Sequence, residues 1–293
     1  MTPTIVCAIE ETTAADVVVA GGDMAAALGA SIVLAHVRSD PTRFDSPAAR
    51  ERARHHTRDL GLAIVNRARE LLPDDIDVEE RVELGPTVAE LVTIAEETKA
   101  SFIVAGSRRR GAIATALLGS VSRTLAHEAP CPVLIIPQGN RTSSGESGWE
   151  SPPSTVIVGV DGSEGSVAAT EVARNIAERF GDRLMLVYGQ DRVAARTANP
   201  DTLAPAVARA GEAPRVVVES GSPSQVLKDV AEREDARLIV IGASRTTGIR
   251  ALVENSVAEP LPGLAPCPVL IVSQEAGLGF EDDASTAAIS GVA

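Results

Sequence analysis

Between Gly106 and Val121 the sequence gathers the groups needed to hold an anion. Gly106-Ser107-Arg108-Arg109-Arg110-Gly111 follows an apolar run, and Leu118-Gly119-Ser120-Val121 opens the next amphipathic segment. Glycine lets backbone amides come close to a ligand. A helix starting at Ser120 would add unpaired N–H groups, the positive end of its dipole and a hydroxyl. The three arginines add charge. The same residues also spell an ordinary helix start, with Ser120 as N-cap and the arginines solvated. On the sequence alone both readings stand.

Much of this pattern occurs twice. Gly85-Pro86, Gly106-Ser107-Arg108-Arg109 and Pro130-Cys131-Pro132-Val133-Leu134-Ile135 return as Gly221-Ser222-Pro223, Gly242-Ala243-Ser244-Arg245 and Pro266-Cys267-Pro268-Val269-Leu270-Ile271. From Gly85 to Gly221, Gly106 to Gly242 and Cys131 to Cys267 the separation is 136 residues each time. Each copy is as long as an ordinary domain, too long for a solenoid repeat. The expected division is domain 1 over 1–138, a polar linker over 139–153, domain 2 over 154–274 and a disordered tail over 275–293.

The elements that must position these residues alternate in type. In the first copy, strands are expected at Thr4–Ile9, Ser31–Val37, Ile76–Leu84, Ser101–Ala105 and Pro132–Ile136. Helices are expected at Ala14–Leu28, Pro47–Leu72, Thr87–Thr98 and Ser120–Glu128. Runs such as Phe102-Ile103-Val104-Ala105 are apolar on both faces, as a parallel sheet covered by helices requires. The order argues for an open, doubly wound α/β sheet, whose ligands bind beyond the carboxyl ends of the strands. The second copy repeats the order with strands at Thr155–Val160, Arg183–Val187, Pro214–Glu219, Arg237–Ile241 and Pro268–Val272. It is shorter by a net 15 residues between its first strand and the Gly221 motif, mostly in the second helix, where Pro200 and Pro205 interrupt what remains.

Composition narrows the classes. With 27 basic against 40 acidic residues the net charge is −13, which disfavours binding to nucleic acid or to an anionic membrane. Six aromatic residues are too few for a base-stacking platform. Cys7, Cys131 and Cys267 sit in or beside apolar runs and read as buried core residues, with no metal-ligand spacing among them. His36, His55, His56 and His127 are scattered. No apolar run approaches the roughly 20 residues of a membrane span, and no signal-peptide pattern opens the chain, so a soluble cytoplasmic protein is expected.

In this order and spacing the motifs resemble the universal stress protein family, and their repetition resembles its tandem members. The resemblance extends to Val156-Ile157-Val158-Gly159-Val160-Asp161-Gly162-Ser163 and Ala35-His36-Val37. It implies two tandem domains, each a five-stranded parallel sheet in the order 3-2-1-4-5 with helices on both faces. It also implies that the final strands of two domains pair, within the chain or in a homodimer. Nucleotide-binding members carry Gly-x-x-Gly, nine residues, then Gly-Ser or Gly-Thr, and an acid ending strand one.

By that resemblance a nucleotide site in the first copy would use Ala8, Glu10, Val37, Gly106, Arg109, Gly119, Ser120 and Val121. The second copy retains Asp161, Gly242 and Ser256. Both copies depart from the pattern: Arg109 and Arg245 stand at the second glycine, Asn255 at the third, and Glu10 replaces the aspartate. If a positive φ is needed there, arginine costs about 1 kcal/mol, yet its guanidinium can pair with phosphate oxygens. Val37 would wall the adenine; its counterpart is Gly189. Pro260 and Pro262 should break the last short helix of the second copy.

The implied function is a stress-response binding or regulatory protein with a weak ATP-type site, taking Mg2+, in domain 1 and a degenerate site in domain 2. The alternative is a scaffold acting through protein–protein contacts with an unknown partner. No acid/base pair or nucleophile arrangement is recognisable, so catalysis is not expected.

Overall fold

The computed structural model describes residues 2–42, 46–107, 120–138, 153–190, 202–211, 214–243 and 261–273. The first half contains β1 (Thr4–Ala8), α1 (Ala14–Leu28), β2 (Ser31–Arg38), α2 (Pro47–Arg69), β3 (Val78–Leu84), α3 (Thr87–Glu97), β4 (Phe102–Ser107), α4 (Ser120–Glu128) and β5 (Val133–Pro137). The second contains β6 (Thr155–Gly159), α5 (Glu164–Phe180), β7 (Arg183–Gln190), α6 (Ala204–Arg209), β8 (Arg215–Ser220), α7 (Pro223–Arg233), β9 (Ala236–Gly242), α8 (Leu261–Leu264) and β10 (Val269–Val272). Residues 139–152 of the expected linker, and the expected tail, lie outside the described residues.

The ten strands of the described residues form one sheet, ordered β3-β2-β1-β4-β5-β10-β9-β6-β7-β8. Each half thus has the expected 3-2-1-4-5 order, and its strands are parallel throughout. The halves meet where β5 and β10 pair antiparallel, Val269 opposite Ile135, Leu270 opposite Leu134 and Ile271 opposite Val133. These six aliphatic residues are buried. Without the pairing, two apolar strands would present open edges, which invite aggregation. Because this one contact is antiparallel, the carboxyl ends of the two half-sheets point in opposite directions.

The sheet separates two apolar layers. On one face, Ile5, Cys7, Ile32 and Leu34 pack with Val17 and Val18 of α1, Val65 of α2 and Val172 and Ile176 of α5. On the other, Val6, Val33 and Ile103 pack with Leu91 and Ile94 of α3, Leu125 of α4 and Leu227 and Val230 of α7. The period-two alternation of each strand feeds both layers, so the strands read as continuous apolar runs. The second helix marks the difference between the halves: α2 has 23 residues, α6 has six.

Element boundaries shift modestly from the sequence expectation. α2 ends at Arg69 rather than Leu72, and the chain turns through Glu70–Leu72 with Arg69 Nη1 donating to the carbonyl of Leu72 at 3.3 Å. Several strands run one to three residues further at their carboxyl ends, as in β4 and β7. At the amino ends of β6, β7 and β9 lies a buried ion pair that the first half lacks. Arg237 Nε sits 2.8 Å from Asp182 Oδ2, and the amide of Ser154 donates to Asp182 Oδ1 at 2.6 Å. The first half has Ala30 and Ser101 at the corresponding places.

The three cysteine thiols are buried, and burial pushes each up to about 12 from an ordinary 9.0. A thiol protonated longer in the folded than in the unfolded state contributes stability that is complete below the unfolded value, about pH 9. That contribution is lost as pH rises toward 12. Urea midpoints should therefore fall from about pH 9 upward, and triple replacement of Cys7, Cys131 and Cys267 by alanine should flatten that fall. At pH 8 the folded protein should leave Ellman's reagent unreacted, whereas the unfolded chain should release three equivalents.

Candidate functional site

The carboxyl ends of β1, β2 and β4 bring together Ala8, Glu10, Val37 and Gly106. Ala8 stands in register between Ala35 and Ala105. Beyond it, the amide of Ile9 donates to the carbonyl of Ala35 at 2.8 Å, and His36 Nδ1 lies 2.8 Å from the carbonyl of Ile9. A carbonyl can only accept, so Nδ1 carries a proton. Nε2 of the ring is buried with no hydrogen-bond partner among the described residues. His36 thereby fixes the backbone immediately before Glu10. The Glu10 side chain is half-buried; its Oε2 accepts from Thr12 Oγ1 at 2.5 Å, and its carbonyl accepts from the Thr13 amide at 3.0 Å. Val37 is half-buried on the opposite face of β2 from His36.

Glycine at the end of the fourth strand of each half has a packing cause. A Cβ on Gly106 would strike the side chain of Thr13, the buried residue at the N-terminus of α1. A Cβ on Gly242 would strike the backbone of Gly165 and Ser166, in the first turn of α5. In both halves, then, the glycine lets the first helix dock on the strand. This docking role is additional to the ligand approach expected from the sequence. The usable signal was the small residue at each helix start, Thr13-Ala14 and Gly165-Ser166.

Ser120 opens α4. Val121 packs partly buried against the layer on that face, and Ser122 Oγ donates to the carbonyl of Gly106 at 3.3 Å, tying the helix start to the end of β4. Arg109, Gly119 and the rest of 108–119 lie outside the described residues, as do Arg245, Asn255, Ser256 and Pro260. Pro262 is the second described residue of α8.

The second half arranges its equivalents differently. Asp161 Oδ1 accepts from the amide of Ser163 at 2.9 Å and from its hydroxyl at 2.6 Å. Ser163 is the N-cap of α5, its Oγ accepting from the Ser166 amide at 3.2 Å. One carboxylate oxygen therefore orients a helix cap. Gly189 lies against the first residue of α7, where an added Cβ would stand 2.6 Å from Pro223 Cα. The place of Val37 is thus filled by the backbone of α7.

A separate cleft of about 520 Å³ opens at the amino ends of β1–β3, bounded by Thr4, Ser31, Asp77, Glu79, Arg81 and Glu97. It lies at the opposite end of these strands from Glu10 and Gly106. Arg81 is committed there, 2.6 Å from Glu79 and 3.2 Å from Glu97. Among the described residues, no group of three or more His, Cys, Asp or Glu is placed to hold a metal ion, and no helix is long and apolar enough to cross a membrane.

The model of the universal stress protein family matches residues 1–137 and 190–273. The chain belongs to the universal stress protein family. Universal stress protein Rv2005c of Mycobacterium tuberculosis is 31% identical over 216 residues, 68% of this chain and 70% of its own. Universal stress protein Rv2623 of the same organism is 31% identical over 233 residues, 70% of this chain and 76% of its own. A universal stress protein from Archaeoglobus fulgidus shares the fold at a TM-score of 0.69, with 21% identity, 92% of this chain and 98% of that one being covered.

The crowding at Gly189 gives a direct test. Gly189→Val should destabilise the protein by about 1–3 kcal/mol, because Pro223 Cα cannot yield without moving α7. Val37→Gly, which removes a half-buried side chain, should cost about 1–2 kcal/mol and leave the sheet register intact. Urea denaturation of both variants measures the difference.

Proposed function

We propose that this universal stress protein is a binding protein of the stress response whose nucleotide-type site lies in its first half alone. The observation that carries the asymmetry is the closure of the second half at Gly189 by Pro223, combined with the use of Asp161 as a capping ligand. In the first half the corresponding wall, Val37, is half-buried and keeps its side chain.

In this reading Glu10 accepts from ribose hydroxyls, Val37 walls the adenine, and Ala8 supplies backbone beside the sugar. The start of α4 at Ser120, with Gly119 and Val121, receives phosphate on backbone amides and the Ser120 hydroxyl, and Gly106 ends the strand that carries the loop. Arg109 pairs with phosphate oxygens, and Mg2+ accompanies them as counter-charge. The described part fits such a ligand in chemistry, since a half-exposed carboxylate and an apolar wall flank a helix N-terminus. Asp161 and Gly242 are remnants of the same arrangement, now serving helix capping and packing, and Ser256 is a remnant by its place in the sequence alone. We read retention rather than turnover as its chemistry, since no acid/base constellation is recognisable among the described residues.

Calorimetric titration of nucleotide-stripped protein with Mg-ATP tests this reading. One site per chain is expected, with affinity weakened at least about tenfold in Gly119→Val and Glu10→Ala. Two sites per chain would contradict the asymmetry. Absence of heat with ATP, ADP and AMP would favour the scaffold reading instead.

A further inference from the structure

The two outer edges of the sheet are not alike. At the first, β3 carries Glu79, Glu80 and Glu83 with Arg81, and α2 covers its apolar residue Val82, which is only 8% exposed. At the second, β8 reads Arg215-Val216-Val217-Val218-Glu219-Ser220. Val218, which stands where Val82 stands in the first half, is 54% exposed, and Val216 is 40% exposed. Among the described residues the second half has only the six-residue α6 on this face, the one that the 23-residue α2 covers in the first half. An edge strand with two exposed valines on one face is a template for another strand.

The sequence of β8 specifies which strand. A two-fold axis through Val217 sets Val216 opposite the partner's Val218 and Arg215 opposite the partner's Glu219 in an antiparallel pair. The valines meet on the face left open by α6. The charged pairs meet on the α7 face, where Arg215 already lies 3.0 Å from Glu234 and Glu219 lies 2.9 Å from Arg233. Pairing would join these into rows that alternate in sign, Glu234, Arg215, the partner's Glu219, the partner's Arg233. Opposite charges and β-branched pairs are the favourable cross-strand combinations. The patch is locally neutral, so two chains of net charge −13 can meet there. The acidic excess on β3 does not offer that match.

We propose that β8 is a self-association edge, through which two copies of this chain pair antiparallel about Val217 and continue the sheet from one molecule into the next. The interface is distinct from the β5–β10 seam, which is satisfied within the chain.

Light scattering or sedimentation of the full chain across a wide concentration range tests this directly. Average mass should rise from 30.3 kDa toward twice that value. Val218→Lys, at an exposed position, should weaken association about tenfold or more while leaving the circular dichroism spectrum unchanged. Glu219→Arg should weaken association about tenfold or more by setting arginine opposite the partner's Arg215. The double variant Val216→Cys/Val218→Cys should form a covalent dimer on oxidation. Neither single variant should, since like positions lie diagonal, beyond disulfide reach. A monomer at every concentration, a dimer indifferent to Val218→Lys, or a dimer that the double cysteine variant does not cross-link would each overturn the proposal.

Discussion

Three backbone pairs between β5 and β10 make one sheet from two. Each of these strands ends its own half-sheet, and each is apolar on both faces, so neither could stand as a solvent-exposed edge. Pairing them buries Val133, Leu134, Ile135, Val269, Leu270 and Ile271 together and carries both apolar layers across the join. The antiparallel sense of the seam also sets the functional geometry. The carboxyl ends of β1 and β4 open at one end of the sheet and those of β6 and β9 at the other, so the two candidate sites cannot merge.

Separated in this way, the halves are free to differ. The first keeps a long α2, a half-buried Val37 and a nine-residue α4. Among the described residues the second has a short α6 and a glycine filled by Pro223. It gains the buried Asp182–Arg237 pair, held by the Ser154 amide. A buried charge pair of this kind is weak evidence for stability, but removing one partner would strand the other at large cost. Its position at the amino ends of β6, β7 and β9, far from Asp161, marks it as part of the scaffold.

Much of this was legible in the sequence, for physical reasons. Strands apolar on both faces demand helices on both sides, and the constant 136-residue offset from Gly106 to Gly242 and from Cys131 to Cys267 demands two copies of one fold. Burial of the three cysteines followed from their apolar neighbours. The site was less legible, because residue type does not reveal what a residue faces. Gly106 reads as a phosphate glycine, and its role as a seat for Thr13 emerges only from the packing of α1 against β4. Asp161 reads as a ligand-binding acid, and the sequence gives no sign that one of its oxygens also orients the Ser163 cap. The pairing of Asp182 with Arg237 joins residues 55 apart in the chain, and no local pattern announces it.

The central claim is that β5 and β10 close each other's edges within one chain, and backbone hydrogen exchange reads it most directly. Peptides spanning Val133–Pro137 and Val269–Val272 should be protected as strongly as those of the interior strands β1, β4, β6 and β9, exchanging only on global unfolding. The edge strand β3 should exchange earlier. If β5 and β10 exchange as fast as β3, the halves are not joined through this seam and the account is wrong.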